Sequence, residues 1–302
     1  MRKWFSENRI LLLRALGTLL SVGLIILLVY EGGWDDIATA FRQLSFTQIL
    51  LGLALMLVSR IFVAARWYIL LRSGGVKIAF WDATALTFTG LFASNFLPTT
   101  IGGDVVRLAG AMQAGHDRAV CLASIMADRL VGMFGMLFTV PLGLIPAWGA
   151  LGQQGAGIVS ASALFTRLTN FLKRTVRSFS IWLNQPSALF KALAFTWGNM
   201  LFIFWTLYIL IEGLGGHVDF WLVAGLWSLA YFITLIPISI NGYGVQELSL
   251  TFLLSKVAGL ETTTSLTVAV MIRAFYLAAS LPGAVYLPSV LAAMKVEKKN
   301  LE

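Results

Sequence analysis

Apolar runs of about twenty residues, enough to carry a helix across a hydrocarbon core of about 30 Å, recur along the whole chain. They fit Ile10–Tyr30, Thr47–Leu71, Asp82–Leu97, Ala119–Ile145, Phe190–Ile211, Trp221–Ile236 and Thr263–Leu287. The third and sixth are short and need their flanks to complete a crossing. A water-soluble domain of 302 residues could not hide such runs, because 58% of the residues are hydrophobic and only 12% are charged. Too little polar surface is left to cover the fold. The same balance excludes a disordered chain. One cysteine, Cys121, and two separated histidines, His116 and His217, exclude a disulfide scaffold and a zinc cluster. The expected class is an all-α polytopic membrane protein with seven to eight transmembrane helices.

Basic residues sort the two faces. Arg2, Lys3 and Arg9 place the N-terminus in the cytoplasm. The apolar stretch that follows is longer than a signal-peptide core and lacks a small-residue cleavage site, so it reads as a retained span. Segment 31–46, with Glu31, Asp35 and Asp36, lies outside; Arg72 and Lys77 return inside. Segment 150–188, with Arg167, Lys173, Arg174 and Arg177, is again inside, and Glu212 and Asp219 are outside. Seven spans would leave the basic tail Lys295–Lys299 outside. Either that tail is an exception to the rule, or an extra crossing lies in a Gly/Pro segment or in the uncharged stretch Leu130–Thr166. Apolar residues at helical spacing between Ala163 and Trp182 suit a helix lying in the membrane interface. The formal charge of +8 then points to a cytoplasmic face and anionic lipid, not to nucleic acid. The expected location is the cytoplasmic (inner) membrane.

The chain also repeats itself at an offset of about 140 residues. Tyr68-Ile69-Leu70 returns as Tyr208-Ile209-Leu210, Gly74-Gly75 as Gly215-Gly216, and Phe80-Trp81 as Phe220-Trp221. Pro98-Thr99-Thr100-Ile101-Gly102-Gly103 is echoed by Pro237-Ile238-Ser239-Ile240-Asn241-Gly242, and Arg129 falls opposite Arg273. The expected layout is a single membrane domain. It has an N-terminal span and outer loop (1–46), a first repeat (47–147), an interfacial segment (148–188), a second repeat (189–291) and a tail (292–302). Three spans per half would invert the second half relative to the first. Inverted repeats with matching broken segments are a way of building a site near the midplane. Here Pro98–Gly110 and Pro237–Gly244 read as re-entrant segments, with Pro98, Pro237, Gly242 and Gly244 as hinges. Non-helical backbone at that depth needs protein or water around it.

Charges inside the apolar segments mark the candidate site, since Arg or Asp at midspan costs about 2.5–3.5 kcal/mol on insertion scales. Arg60 and Arg66 lie in the second span, Asp128 and Arg129 in the fourth, and Arg273 in the last. Asp104, Arg107 and Glu247 belong to the broken segments. Gly102 and Gly103 before a helix start could present N–H groups to a phosphate, with Arg107 as a bidentate clamp; Asp104 could equally serve as the helix cap. Arg107, Arg129, Arg273 and Arg60 are expected to hold phosphate, and Asp104, Asp128 and Glu247 to tune charge or carry a proton. Asp128 and Arg129 could also simply neutralise each other, and of the two span arginines Arg66 is expected to snorkel to the cytoplasmic boundary. Asp104 and Arg107 are set opposite Gln246 and Glu247. There is no nucleotide loop, no His-Glu-x-x-His and no Gly-x-Ser-x-Gly. Catalytic residues, metal and cofactor are therefore all expected to be none.

Three stretches in order, Asn95-Phe96-Leu97-Pro98-Thr99-Thr100-Ile101-Gly102-Gly103-Asp104-Val105-Val106-Arg107, Asp128-Arg129, and Pro237-Ile238-Ser239-Ile240-Asn241-Gly242-Tyr243-Gly244-Val245-Gln246-Glu247, resemble the membrane region of the lysylphosphatidylglycerol synthase/flippase family. The resemblance implies a flippase-like membrane part without the soluble aminoacyl-transferase domain. Its second motif is less glycine-rich than the family's. The expectation is translocation of a phosphate-bearing lipid, a phospholipid or a polyprenyl-linked glycolipid, through a polar cavity between the repeats. Membrane lipid is then the partner, and a membrane-bound lipid-modifying enzyme is a second one to consider. The alternatives are a membrane enzyme or accessory subunit of lipid-linked glycosyl transfer, and a scaffold that transports nothing.

Overall fold

The computed structural model describes residues 42–97, 102–152, 185–235 and 239–288, with isolated positions at 23, 26, 39 and 290. The first expected span, the interfacial helix, the basic tail and the hinges Pro98 and Pro237 lie outside the described residues. Within them the chain is all α-helical. The elements are α1 (Phe46–Ser73), α2 (Phe80–Ser94), α3 (Gly102–Gln113), α4 (Arg118–Leu137), α5 (Val140–Gly152), α6 (Pro186–Gly213), α7 (Phe220–Thr234), α8 (Val245–Lys256) and α9 (Thr262–Ser280). A 3-10 turn, Ile240–Gly242, precedes α8, and another, Leu281–Ala284, extends α9.

The recurrence seen in the sequence has a counterpart in the helices. Lengths of 28, 15, 12 and 20 residues in α1–α4 return as 28, 15, 12 and 19 in α6–α9. The turns match bond for bond. The Val76 N–H donates to the Leu71 carbonyl at 3.1 Å, and the Gly216 N–H donates to the Ile211 carbonyl at 2.9 Å. Each turn passes through a left-handed glycine, Gly75 (φ 93°) or Gly215 (φ 75°), a conformation that a Cβ would strain. Beyond each turn the same aromatic corner forms. Tyr68 meets Phe80 at 5.5 Å and Tyr208 meets Phe220 at 5.9 Å, with Trp81 and Trp221 exposed beside them.

Helices α1 and α6 lie side by side and run antiparallel. The Gln185 side-chain N–H at the start of α6 reaches the Ser73 carbonyl at the end of α1, at 2.9 Å. At their middles Ser59 Oγ donates to Asn199 Oδ1 at 2.8 Å, and these two residues are 140 positions apart, the repeat offset itself. Phe62 of α1 fills the space beside Gly198. Only a glycine allows the aromatic ring that close. An apolar core joins α6–α9 with Met56 and Leu44, and a second cluster around Trp67, Ile78 and Cys121 packs α1–α4.

The single span expected at Ala119–Ile145 is two helices. Pro141 has no N–H to give to the Leu137 carbonyl and its ring would crowd that group. The chain accordingly turns at Phe138 and Thr139 before α5 begins. Pro282 acts alike at the end of α9, where the last expected span tightens into a 3-10 turn. The two tails are exchanged between halves: α5 packs on α7, and Leu281–Ala284 packs on α2. Glycines permit both approaches. A side chain on Gly143 would enter the backbone of Gly225, and one on Gly283 would enter the backbone of Phe88.

Four helices, α1, α4, α6 and α9 with its extension, are long and apolar enough to cross a membrane, and α5 and α7 are shorter apolar helices. Backbone contact at Gly225 gives a direct test. Gly225→Leu should overpack the α5–α7 seam, at a cost of roughly 1–3 kcal/mol, and lower the melting temperature in detergent. Gly149→Ala, where nothing lies within 4 Å, should leave it unchanged or raise it.

Candidate functional site

Helices α3 and α8 each send a carboxylate from the first turn to an arginine on the next helix. Asp104 of α3 accepts a hydrogen bond from Arg129 Nε of α4, and Glu247 of α8 accepts one from Arg273 Nε of α9. The structure thereby corrects the register between halves. Helix α3 starts at 102 and α8 at 245, a shift of three beyond the offset of the earlier helices. Asp104 therefore corresponds to Glu247, and Arg107 to Leu250, a residue of the apolar core.

In the second half the backbone before α8 makes the site. Asn241 (φ 49°), Gly242 (φ 72°) and Gly244 (φ 78°) are left-handed, a region open to glycine and tolerated by asparagine. The Gly244 N–H donates to Glu247 Oε2 at 2.7 Å, so this carboxylate caps α8 and holds Arg273 at once. Arg273 Nη2 also donates to Gln246 Oε1 at 2.9 Å, and its guanidinium lies 4.7 Å from the Tyr243 ring centroid. Tyr243 Oη reaches Asn95 Oδ1 at 3.5 Å, and Asn95 Nδ2 donates to Ser280 Oγ at 2.9 Å. The end of α2, the second broken segment and the end of α9 are thus tied together. Asn95 is not among the site residues expected from charge, and the signal for it in the sequence is its place at the head of the first motif.

The first half carries a second layer of charge. Asp128 Oδ1 accepts from Arg66 Nε at 2.6 Å, and Oδ2 accepts from Arg107 Nη1 and Nη2, both at 3.2 Å. Arg107 Nη1 donates on to Asp104 Oδ1 at 3.1 Å. The result is one alternating chain, Arg66–Asp128–Arg107–Asp104–Arg129, drawn from α1, α4 and α3. Arg66 Nη1 extends it to Thr196 of α6 at 3.2 Å, and Arg107 lies over Trp67 at 4.1 Å. Three expectations change here. Asp128 and Arg129 do not neutralise each other, because adjacent helical positions point to different neighbours. Arg66 does not snorkel: it is buried, since Asp128 offers a closer partner than the membrane boundary. Asp104 lies inside the first turn of α3 and gives its oxygens to arginines.

Arg60 is held differently. It is buried, with Nη2 against Met56 Sδ at 3.2 Å and the guanidinium 4.4 Å from the Tyr276 ring centroid. Among the described residues its Nε has no acceptor, and neither does that of Arg107. Tyr276, three residues after Arg273 on α9, carries Arg60 on its ring and stacks on Trp227 of α7. Among the described residues four arginines (66, 107, 129, 273) pair with three carboxylates (104, 128, 247), and Arg60 lies apart from them, so guanidinium groups outnumber carboxylates there. Gly102 and Gly103 have their open sides filled by Leu97 and by Ser94 with the Gly90 carbonyl, so close packing of α3 on α2 alone accounts for them. Among the described residues no group of three His, Cys, Asp or Glu could hold a metal.

A family model described as the lysylphosphatidylglycerol synthase TM region matches residues 14–283, nearly all of the chain. No curated protein matches it. The ion-pair chain predicts unequal sensitivity to truncation. Asp128→Ala strands two buried guanidinium groups and should cost about 3–5 kcal/mol, read as a collapse of thermal stability in detergent. Arg129→Ala, at a side chain 42% exposed, should cost far less.

Proposed function

Because the chain belongs to the lysylphosphatidylglycerol synthase TM-region family, a family of membrane proteins in lipid modification, we propose that it translocates a phosphate-bearing lipid across the bilayer. The observation that carries this reading is the charge imbalance. Guanidinium groups outnumber carboxylates among α1, α3, α4, α8 and α9, and buried N–H donors on Arg60 and Arg107 lack acceptors. In a medium of low dielectric an uncompensated cation is expensive. A phosphate is the anion whose geometry suits such forks of N–H donors. Arg107, Arg129 and Arg273 would take the head group, while Asp104, Asp128 and Glu247 keep the empty site from repelling itself.

In this reading α1–α4 and α6–α9 are inverted repeats, and the segments leading into α3 and α8 are re-entrant, entering from opposite faces. The antiparallel pairing of α1 with α6 and the matching Asp104–Arg129 and Glu247–Arg273 pairs support it. Each pair then guards the approach from one leaflet, and the acyl or prenyl tails stay in the lipid. The chain moves lipid and performs no bond chemistry, and it sits in the cytoplasmic membrane with its N-terminus inside.

Two experiments test these statements. In proteoliposomes carrying fluorescent phosphatidylglycerol, Glu247→Gln and Arg129→Ala should each slow translocation at least tenfold while the protein stays monodisperse; wild-type rates in both would overturn the assignment. For the inversion, Trp81→Cys and Trp221→Cys, each in a Cys121→Ser background, should react with an impermeant maleimide from opposite sides. Trp221→Cys should label in intact cells and Trp81→Cys only after permeabilisation, and labelling of both from one side would exclude inverted halves.

A further inference from the structure

We propose that Arg60 and the Trp227 indole N–H, assembled on the Tyr276 ring, form a separate anion station at mid-membrane that receives a lipid phosphate between the two ion-paired entrances. The proposal rests on the translocation reading above and gives it an intermediate position.

Position is the first support. Arg60 lies fourteen residues from one end of α1 and thirteen from the other, so roughly 20 Å of helix separates it from either terminus at about 1.5 Å per residue. Beside it, Ser59 meets Asn199 at the crossing with α6. The residue equivalent to Arg60 in the second half, at the 140-residue offset, is Met200, which is fully buried in the apolar core. A single cation therefore stands where the halves cross, and it has no counterpart.

Unmet hydrogen bonding is the second. Arg60 is 7% exposed and Trp227 2%. Arg60 Nε and Trp227 Nε1 are both buried donors without an acceptor. They belong to different helices, α1 and α7, yet both side chains rest on Tyr276 of α9. The guanidinium is 4.4 Å from that ring's centroid, and the indole stacks on it at 6.0 Å with planes 12° apart. A buried indole N–H ordinarily finds a partner, and a buried guanidinium needs an anion or several acceptors. Arg60 meets a thioether, Met56 Sδ, a weak acceptor, and hydrogen-bonds the Tyr276 side chain, a neutral group that supplies no countercharge. Each of these orphaned donors beside the Tyr276 ring needs an acceptor, and a phosphate oxygen suits both a guanidinium and an indole N–H.

Connectivity is the third. Tyr276 stands three residues after Arg273 on α9, a spacing that places the two on neighbouring positions of one helix face. Tyr231, four residues after Trp227 on α7, packs with Tyr276 against the same apolar core. Cation–π contact with Tyr276 keeps Arg60 tolerable when empty without neutralising it. A carboxylate there would hold Arg60 permanently and close the station to a passing phosphate.

The test uses the full chain in dodecyl maltoside, with dodecyl phosphate as the probe and sodium phosphate as the free-anion control. A ligand that binds only the folded state raises the melting temperature. Dodecyl phosphate should raise that of the wild type, and sodium phosphate should not; equal rises would overturn the lipid assignment. Arg60→Met should melt no lower than wild type without the probe, because it replaces an unpaired buried charge by an apolar chain of similar length. Its probe-induced rise should fall below half. Trp227→Phe, which keeps the stacking and loses the N–H, should also show a reduced rise. A lower melting point for Arg60→Met without probe would make Arg60 structural, and a full rise in both variants would remove the station. No rise in the wild type would count against the translocation reading itself, whereas a rise that survives Arg60→Met counts against this station alone.

Discussion

Asp128 holds the first half together. Its two oxygens take Arg66 from α1 and Arg107 from α3, so one buried carboxylate fixes three helices against each other. In a low-dielectric interior such a contact works only if every member is paired, because each unpaired ion would carry a desolvation penalty of several kcal/mol. The alternating order of the chain, cation next to anion from Arg66 to Arg129, meets that requirement while leaving a net positive charge. Under the proposed function, the side chains that order these helices are also the ones that would take the anion.

The halves share a plan and differ in one layer. Both have a first-turn carboxylate bonded to an arginine on the following helix. The first half adds Arg66, Arg107 and Asp128, whereas the second has Leu250 and other core residues at matching depth. Exchange of the tails, α5 onto α7 and the Leu281–Ala284 turn onto α2, means that neither half completes its own packing. Movement of one half must then displace an element of the other.

Much of this was legible in the residues. Repeated Tyr-Ile-Leu, Gly-Gly and Phe-Trp signals located α1, α2, α6 and α7, because glycine turns and aromatic corners are set by local geometry. Charges within apolar runs located the site, because the bilayer makes each of them costly. What the sequence hid was partnership. Asp128 and Arg129 are neighbours in the chain, and nothing in the sequence indicates that helical geometry sends one to Arg66 and Arg107 and the other to Asp104. Arg66 looked like a snorkelling residue because its partner lies 62 positions away. The break before α5 was visible as Pro141, yet an uncharged apolar stretch gave no sign of which side the chain turned to. The three-residue shift at α8 could not be read, because a broken segment has no periodicity to count.

The arginine excess among the described residues and the antiparallel pairing of α1 with α6 support the proposal that this membrane protein holds an anionic head group. Native mass spectrometry of the protein released in mild detergent tests that most directly. The account predicts a phosphorus-bearing lipid retained on the wild-type chain and lost when Arg107 and Arg273 are both replaced by Met. A wild-type protein carrying no such lipid, or a doubly substituted one carrying it undiminished, would contradict it.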